Sequence, residues 1–285
     1  MRDDEFDVNQ TFLCIVPGIE GHNHKFRMLC ERLKLIALVL QPGLDRPHET
    51  VRETAERYAE VLLKKTGLQK TFYLLGYESG VSVALEVASI LEDHGLTGVI
   101  YCIGYSPDGF KRVLEKQLSQ YETKEQLQDA VARHMFTLMA NGDPTGLDNA
   151  LQGAKTWSQK VDSCVRTLLG RVSHSAQYAR MLIETALVRI EKARDYVPTR
   201  LRVLRSQLVQ LLPVVGGEEA LAFSLQPYSQ QPVIVHELQV PLAQAPYDLC
   251  CSSIINNFLS NRILEDFQTK NTCDTYLLDA NSFMQ

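Results

Sequence analysis

The residues whose types and spacing could perform chemistry lie in segment 72–88, FYLLGYESGVSVALEVA. An apolar run meets Gly76, a second glycine follows at Gly80, and a helical apolar pattern comes next. This order is typical of a nucleophile elbow, G-x-Nuc-x-G, in which a strand-to-helix turn exposes a nucleophile beside an oxyanion hole. The centre holds Glu78, and Ser79 comes one residue late. The pattern leaves open a displaced serine, a carboxylate nucleophile, a lost reaction, or an ordinary turn with two glycines.

The elements that must position this turn alternate between strands and helices. Strands are predicted at 11–16, 35–40, 71–75, 98–104, 200–205 and 232–238, and helices at 24–34, 49–66, 79–93 and 247–260. The apolar strand 35–40 is expected to be buried. Strands that alternate with helices of this length predict a parallel sheet with helices on both faces.

The middle of the chain has a different pattern, because no convincing strand occurs from about 109 to 196. Its helical segments are 109–118, 124–139, 145–153, 156–169 and 175–194. An all-helical stretch of this length within an α/β chain predicts an inserted cap. The expected domains are an α/β core (1–108 and 197–268), a helical cap (109–196) and a loose tail (269–285).

Composition narrows the class of protein. The 285 residues are 45% hydrophobic and 22% charged, which suits a globular protein with a large core. The net charge of -5 argues against nucleic acid as a partner. Seven cysteines, an odd number without C-x-x-C spacing, indicate reduced thiols and no zinc site. Without a signal-like start or an 18-residue apolar run, we expect a cytoplasmic protein with no membrane span and no cofactor.

Two segments carry a resemblance to a known family. Segment 17–44, PGIEGHNHKFRMLCERLKLIALVLQPGL, and segment 73–91, YLLGYESGVSVALEVASIL, resemble the thioesterase domain of animal (insect-like) fatty acid synthases. In that family an Ile-Glu-Gly turn, a Leu-Gln pair and a Gly-Tyr-Ser-x-Gly elbow follow one another at this spacing. The resemblance is dense over 12–108, weaker over 178–260 and faint between them. It implies an α/β-hydrolase fold with a helical subdomain inserted late, which agrees with the pattern of elements.

The resemblance also locates the family's functional residues on this chain. The nucleophilic serine falls on Glu78, the triad aspartate on Gly104 and the triad histidine on Leu242. The oxyanion hole would be formed by the backbone N–H groups of Ile19 and Ser79. All three triad members are therefore replaced, which a single alignment error does not readily explain.

The histidines argue independently against a triad. Hydrolases of this fold keep the order nucleophile, acid, histidine along the chain. The last histidine is His236, which we expect inside the final strand, and none occurs in the 49 residues after it. We expect His22 and His24 to border the pocket or face solvent, and His134, like the rest, to occupy a surface or helix position.

Neither Ser79 nor Glu78 is a satisfactory replacement for the nucleophilic serine. Ser79 would need to lie at the tip of the turn, and its own frame lacks both glycines. Glu78 could attack an ester only with a histidine to activate the second step, and no base is in place. We instead expect the Glu78 carboxylate to occupy the oxyanion hole, with its charge favoured by the N–H donors and by the following helix N-terminus.

The predicted cap has its own candidate site. In the resembled family such helices help to form an apolar groove for a long acyl chain. Met135, Phe136, Met139 and Trp157 are the candidates here, and packing into a core is the alternative for each of them.

The function predicted from the sequence is a thioesterase-like domain that has lost hydrolysis and serves as an acyl-binding or interaction module. Its expected partners are an acyl carrier domain or a long-chain acyl group. The alternative is an active long-chain acyl-ACP or acyl-CoA thioesterase with a non-standard site. A scaffold with no lipid role is a third possibility.

Overall fold

The chain was examined as a computed structural model, which describes residues 12–41, 43–44, 46–65, 71–197, 202–213 and 223–260. The predicted tail, 269–285, lies outside these residues.

A six-stranded sheet forms the centre of the molecule. Its strands are β1 (Phe12–Val16), β2 (Ile36–Val39), β3 (Thr71–Tyr77), β4 (Thr97–Ile103), β5 (Gln207–Leu212) and β6 (Ile234–Glu237). The spatial order is β2-β1-β3-β4-β5-β6, and every neighbouring pair is parallel. The predicted α/β class with a parallel sheet is thus confirmed.

In the described residues, helices lie between the strands and after the last one. They are α1 (Arg27–Arg32), α2 (Val51–Lys65), α3 (Gly80–Asp93), α4 (Pro107–Leu118), α5 (Lys124–Met139), α6 (Leu147–Leu151), α7 (Trp157–Leu168), α8 (Ala176–Asp195) and α9 (residues 249–260). No helix in the described part of the chain is long and apolar enough to cross a bilayer.

Both faces of the sheet are buried, because successive strand side chains point to opposite faces and each face is covered by helices. On one face, Leu74 and Ile100 pack with α2 and α3. On the other face, Leu75 and Tyr101 pack with side chains that include Phe26 and residues of α9. The sheet therefore holds the ends of β1, β3 and β4, where the candidate site lies, in a fixed arrangement.

The prediction of a strand at 200–205 is wrong. Within its described residues, only Leu204 makes a bridge, to Ser229, and the strand β5 begins at Gln207. The sequence does not predict β5 because the polar residues Gln207 and Gln210 interrupt its apolar pattern. Gln210, which is 1% exposed, donates from its amide to the carbonyls of Gly104 and Phe223, so its burial is compensated.

The predicted burial of strand 35–40 is also wrong. This segment forms β2 at the edge of the sheet, where it pairs only with β1 among the described strands. Ile36 is 45% exposed, and the other three residues of β2 are half-buried. An apolar run alone does not distinguish a central strand from an edge strand.

Five helices, α4 to α8, occupy the chain between β4 and β5, as the sequence predicts. Helices α5 to α8 enclose an apolar cluster of their own, centred on buried side chains such as Phe136, Val161 and Leu182. The division of the chain into a core and a cap with the boundaries given above stays a prediction.

Candidate functional site

The tip of the elbow is Glu78. Its φ of 54° is one of two positive values among the described non-glycine residues. The Glu78 N–H donates to the Ile103 carbonyl at 2.9 Å, and the Val81 N–H donates to the Glu78 carbonyl at 3.1 Å. Ser79 already has helical dihedrals and leads into α3. The strained position that displays a nucleophile thus belongs to Glu78, and Ser79 lies beyond it.

Two glycines let the strand and helix of the elbow approach closely. A Cβ at Gly76 would lie 2.6 Å from the Cα of Val81. A Cβ at Gly80 would lie 2.5 Å from the Pro17 carbonyl oxygen. Both obstacles are backbone atoms that cannot rotate away, so the G-x-x-x-G spacing is required by the packing of this turn.

The Glu78 carboxylate contacts the predicted oxyanion hole. The Ile19 N–H donates to Glu78 Oε2 at 2.9 Å. Within the described residues, the Ser79 N–H makes no hydrogen bond to this carboxylate. A Cβ at Gly18 would overlap Glu78 Oε2, so the glycine beside Ile19 leaves the space that the carboxylate fills. The Glu78 carboxylate thus accepts from the Ile19 N–H, one of the two N–H donors that the sequence predicts for the oxyanion hole.

The structure brings together Glu78, Gly104 and Leu242, the three positions that the resemblance assigns to a triad. A Cβ at Gly104 would lie 3.6 Å from the Cα and N of Glu78 and 3.6 Å from Leu242 Cδ1. The φ of Gly104 is 131°, a backbone conformation that side chains with a Cβ rarely adopt. The space at the acid position would admit a side chain, but the backbone there suits only glycine.

Leu242 begins a short 3-10 turn, Leu242–Tyr247, after β6. The Tyr77 hydroxyl donates to the Leu242 carbonyl at 3.2 Å, which ties this turn to the end of β3. The Leu242 side chain packs against the apolar cluster on that face of the sheet. The position that would hold a base therefore holds an apolar contact. His236 lies within β6, as predicted.

A partly buried ionic cluster lies at the turn that carries Ile19. The Glu20 carboxylate forms an ion pair with Lys25 and accepts a 2.6 Å hydrogen bond from Nε2 of His134 on α5. Lys25 is 7% exposed and lies 4.7 Å from the centre of the Tyr77 ring. Burial alone would raise the pKa of Glu20, but His134 and Lys25 outweigh it and lower this pKa to about 2. Glu20 is therefore charged at neutral pH.

The pKa of Glu78 is shifted in the opposite direction. Burial raises it, the nearby charge of Glu20 adds to the rise, and the hydrogen bond from Ile19 together with Lys25 and His134 only partly opposes it. The expectation that local donors would favour the charged form is therefore outweighed. The two carboxylates share one neighbourhood, and their pKa values are driven apart.

A cavity of about 90 Å³ adjoins the same turn on its other side. Its wall includes Gly18, Ile19 and Ser79 from the candidate oxyanion hole, and Arg189 and Lys192 from α8. Because Ser79 of the elbow lines it, part of a ligand could enter here next to the elbow.

The four predicted groove side chains lie elsewhere. Met135, Phe136 and Met139 are at most 2% exposed within the apolar cluster of α5 to α8, and Trp157 packs against that cluster. None of the four lines the cavity beside the elbow. Core packing, the alternative given by the sequence, describes their present position, and an acyl groove among them stays a prediction.

Three polar residues at this site were not selected from the sequence. Lys25 and His134 meet at Glu20, and Arg189 Nη1 donates to the Ile19 carbonyl at 2.8 Å. His134 and Arg189 are more than a hundred residues from their partners along the chain, so no local spacing indicates these contacts. No group of three His, Cys, Asp or Glu side chains suited to a metal ion occurs in the described ranges.

Comparison with known proteins agrees with the fold. A thioesterase domain family model matches residues 11–130. A search of curated proteins found no match.

Several solved structures are similar to this chain. One is a four-domain nonribosomal peptide synthetase, holo-AB3403 bound to AMP and glycine (15% identity, TM-score 0.63). The match covers 92% of this chain, which spans only 20% of that protein. The Vlm2 thioesterase domain bound with a dodecadepsipeptide has 15% identity and a TM-score of 0.58, over 88% of this chain and 93% of that one.

The RedJ thioesterase of the prodiginine pathway in Streptomyces coelicolor has 18% identity and a TM-score of 0.54, over 87% of this chain and 84% of that one. At these identities the likeness concerns the fold. The chain thus has the α/β fold of thioesterase domains, and its residues 11–130 match the thioesterase domain family.

Proposed function

We propose that this chain is a fatty acid synthase thioesterase-like domain that is catalytically inactive and acts as an acyl-binding or interaction module. Its partners would be a long-chain acyl group or an acyl carrier domain. In this proposal residues 109–196 form a cap over the α/β core. The match of residues 11–130 to the thioesterase domain family supports the general class.

One observation carries the proposal: Glu78 Oε2 accepts the Ile19 N–H at 2.9 Å. Acyl transfer requires such donors to stabilise the negative oxygen that develops in the transition state. When a carboxylate of the protein uses the donor, a thioester carbonyl has lost that interaction. The same residue also replaces the hydroxyl that would attack.

The other two positions support the same conclusion. Gly104 has no side chain to orient a base, and Leu242 offers no proton acceptor. Enzymes of this type that lack their triad retain roughly 10³–10⁴-fold catalysis over water, through the oxyanion hole and binding. Here the hole itself is engaged by Glu78, so we expect even less.

The assignment to fatty acid synthases is part of the proposal and rests on sequence motifs. The Ile19-Glu20-Gly21 turn, the Leu40-Gln41 pair and the elbow follow the order found in that family. The similar solved structures reported above are a nonribosomal peptide synthetase, the Vlm2 thioesterase domain and the RedJ thioesterase of the prodiginine pathway. The order of motifs supports a fatty acyl ligand, and the fold is compatible with either chemistry.

An active thioesterase is the second candidate, and one contact favours it. Glu20 and His134 form a carboxylate–imidazole pair at 2.6 Å, next to the turn that carries Ile19. The contact also raises the pKa of His134. A histidine oriented by an acid is the arrangement of a general base. In this candidate, His134 would activate water for a site that includes Glu78.

Hydrolysis of palmitoyl-CoA distinguishes the two candidates. The natural chain, Glu78→Ala, Glu78→Ser and His134→Ala are assayed at equal concentration by release of free thiol. We expect all four to remain near the rate without protein. Turnover by the natural chain well above that rate, abolished by Glu78→Ala or His134→Ala, would establish the enzyme and reject the proposal. Binding of palmitoyl-CoA or an acyl carrier domain by the natural chain would support an acyl-binding module over a scaffold with no lipid role.

A further inference from the structure

The cavity beside the elbow is rich in positive charge. Arg189 and Lys192 face it from one side of α8, and Arg46 and Glu49 face it from the segment before α2. The Glu49 carboxylate is already held by Arg57, with Nη2 at 2.7 Å and Nε at 2.9 Å from its oxygens. Among the described residues that line the cavity, Glu49 is the one acidic side chain; Arg57 compensates its charge, and the cations of α8 form no ion pair with it.

Arg189 uses only part of its hydrogen-bonding capacity. Nη1 donates to the Ile19 carbonyl at 2.8 Å, and Nη2 donates to Thr185 Oγ1 at 2.7 Å. A guanidinium has five N–H donors in a planar fork, so others remain for a ligand in the cavity. Both acceptors are neutral, so the charge of Arg189 has no counter-ion among the residues that the structure describes.

No carboxylate within the described chain forms an ion pair with Arg189, whereas the charge of Lys192 interacts with the exposed carboxylate of Glu53. Burial lowers the pKa of Arg189 to about 10, with only the tyrosines Tyr58 and Tyr178 opposing the shift. Arg189 is nevertheless charged at neutral pH. Partly buried cations in proteins are normally paired, because removing a charge from water is costly without a partner.

The remainder of the cavity wall is largely apolar. Val16, Pro17, Val51, Val83 and Phe110 contribute to it. A ligand that complements this wall carries an apolar chain next to an anionic group. The neutral carbonyl of a thioester would leave the charge of Arg189 unpaired, whereas a carboxylate matches the guanidinium in charge and in its planar, two-pronged geometry.

We propose that this cavity binds the carboxylate of a free carboxylic acid with an apolar chain, through the guanidinium of Arg189 with support from Lys192. The inference rests on the proposed function, since it names the ligand class of the same non-hydrolytic domain. The domain would then recognise the acid that a thioesterase reaction releases and not the thioester that such a reaction consumes.

The test measures binding of dodecanoate to the natural chain by isothermal titration calorimetry, with dodecanol as the uncharged match. We expect dodecanoate to bind at least 10-fold more tightly than dodecanol. Arg189→Gln should weaken dodecanoate at least 10-fold and leave dodecanol within 2-fold. Lys192→Gln, whose side chain makes no hydrogen bond or ion pair in the described chain, should weaken dodecanoate about 3-fold.

Arg194→Gln is the matched control, because it removes a positive charge from an exposed position of the same helix that does not line the cavity. It should bind dodecanoate as the natural chain does. Thermal unfolding of each variant identifies misfolded protein, and Lys192→Gln keeps the test valid if Arg189→Gln does not fold.

Three results would overturn the inference. They are equal affinity for dodecanoate and dodecanol, no binding of either, and unchanged dodecanoate affinity in the folded Arg189→Gln and Lys192→Gln variants. Preferential binding of 4′-phosphopantetheine that depends on Arg189 would also overturn it, by making a phosphate the ligand. None of these results alters the palmitoyl-CoA hydrolysis assay, so failure here is distinct from failure of the proposed function.

Discussion

Glu78 at the elbow and Gly104, the position predicted for the acid of a triad, differ in the backbone conformation that each adopts. At the elbow, Glu78 keeps a φ of 54°, although a residue with a Cβ resists this conformation. At the acid position, Gly104 has a φ of 131°, where any side chain would be strained. The elbow retains the backbone of a nucleophile and presents another side chain. The predicted acid position, Gly104, has a backbone that a residue with a Cβ rarely adopts.

The comparison teaches that the two changes are not equally reversible. The elbow is held by backbone contacts around Gly76 and Gly80, so it tolerates a change at its tip. The segment at Gly104 is held by its own hydrogen bonds, from its N–H to the Leu211 carbonyl and from the Gln210 amide to its carbonyl. The substitution Glu78→Ser therefore changes the tip of the elbow and leaves the backbone of Gly104 as it is.

The first and largest predicted effect concerns the frame of the elbow. Gly80→Ala would place a Cβ 2.5 Å from the Pro17 carbonyl oxygen, so backbone must move. We expect the free energy of unfolding to fall by about 3 kcal/mol or more, measured by denaturant titration. Gly153→Ala is the control, since its φ is 83° but nothing lies within 4 Å of the added atom. It should cost only about 1 kcal/mol. Equal losses would show that the elbow is not fixed by close approach.

The second prediction separates the two positions directly. Gly104→Ala introduces a Cβ at a backbone φ of 131°, where the nearest atoms lie at an ordinary contact distance of 3.6 Å. The loss of unfolding free energy in this variant therefore measures backbone strain. We expect a cost of about 1–3 kcal/mol in unfolding free energy. Glu78→Ser keeps a Cβ at the tip of the elbow and should change stability by less than this. A neutral Gly104→Ala substitution would erase the distinction between the two positions.

The third prediction, with the smallest effect, uses pH. The folded pKa of Glu78 is raised above its unfolded value of 4.5, so the folded state holds the proton more tightly. Stability from this group is therefore present below pH 4.5 and is lost as pH rises through the folded pKa. Glu78→Gln does not titrate there but retains an oxygen for the Ile19 N–H.

The unfolding free energy of Glu78→Gln minus that of the natural chain should therefore increase from pH 4.5 upward. The comparison is made by denaturant titration across this range. A difference that stays constant, or decreases with rising pH, would mean that burial does not disfavour the Glu78 charge.

Much of the fold follows from periodicity in the sequence. Helix α5 spans Lys124–Met139, as predicted, because its apolar side chains recur at helical spacing and Thr123 caps it. The strand β5 was missed because Gln207 and Gln210 interrupt its apolar pattern. Their amides are satisfied by carbonyls distant in sequence, which a local pattern does not reveal.

The candidate site was only partly predictable for a similar reason. The positions Glu78, Gly104 and Leu242 came from motif order and meet in the structure. The contacts of Glu20 with His134 and of Ile19 with Arg189 join the turn after β1 to helices far along the chain. Such pairs depend on how the helices fold back over the sheet, and a charged residue on a helix gives no sign of its distant partner.

The most direct test of the central claim is the amide resonance of Ile19 in a 15N–1H spectrum of the deuterated protein. If Glu78 holds the oxyanion donor, the Ile19 proton should resonate downfield and exchange slowly with solvent, because it donates to Oε2 at 2.9 Å. In Glu78→Ala it should move upfield and exchange at least 10-fold faster, while the Val81 amide remains as a local reference. An Ile19 resonance and exchange rate unchanged by Glu78→Ala would contradict the claim that this carboxylate occupies the hole.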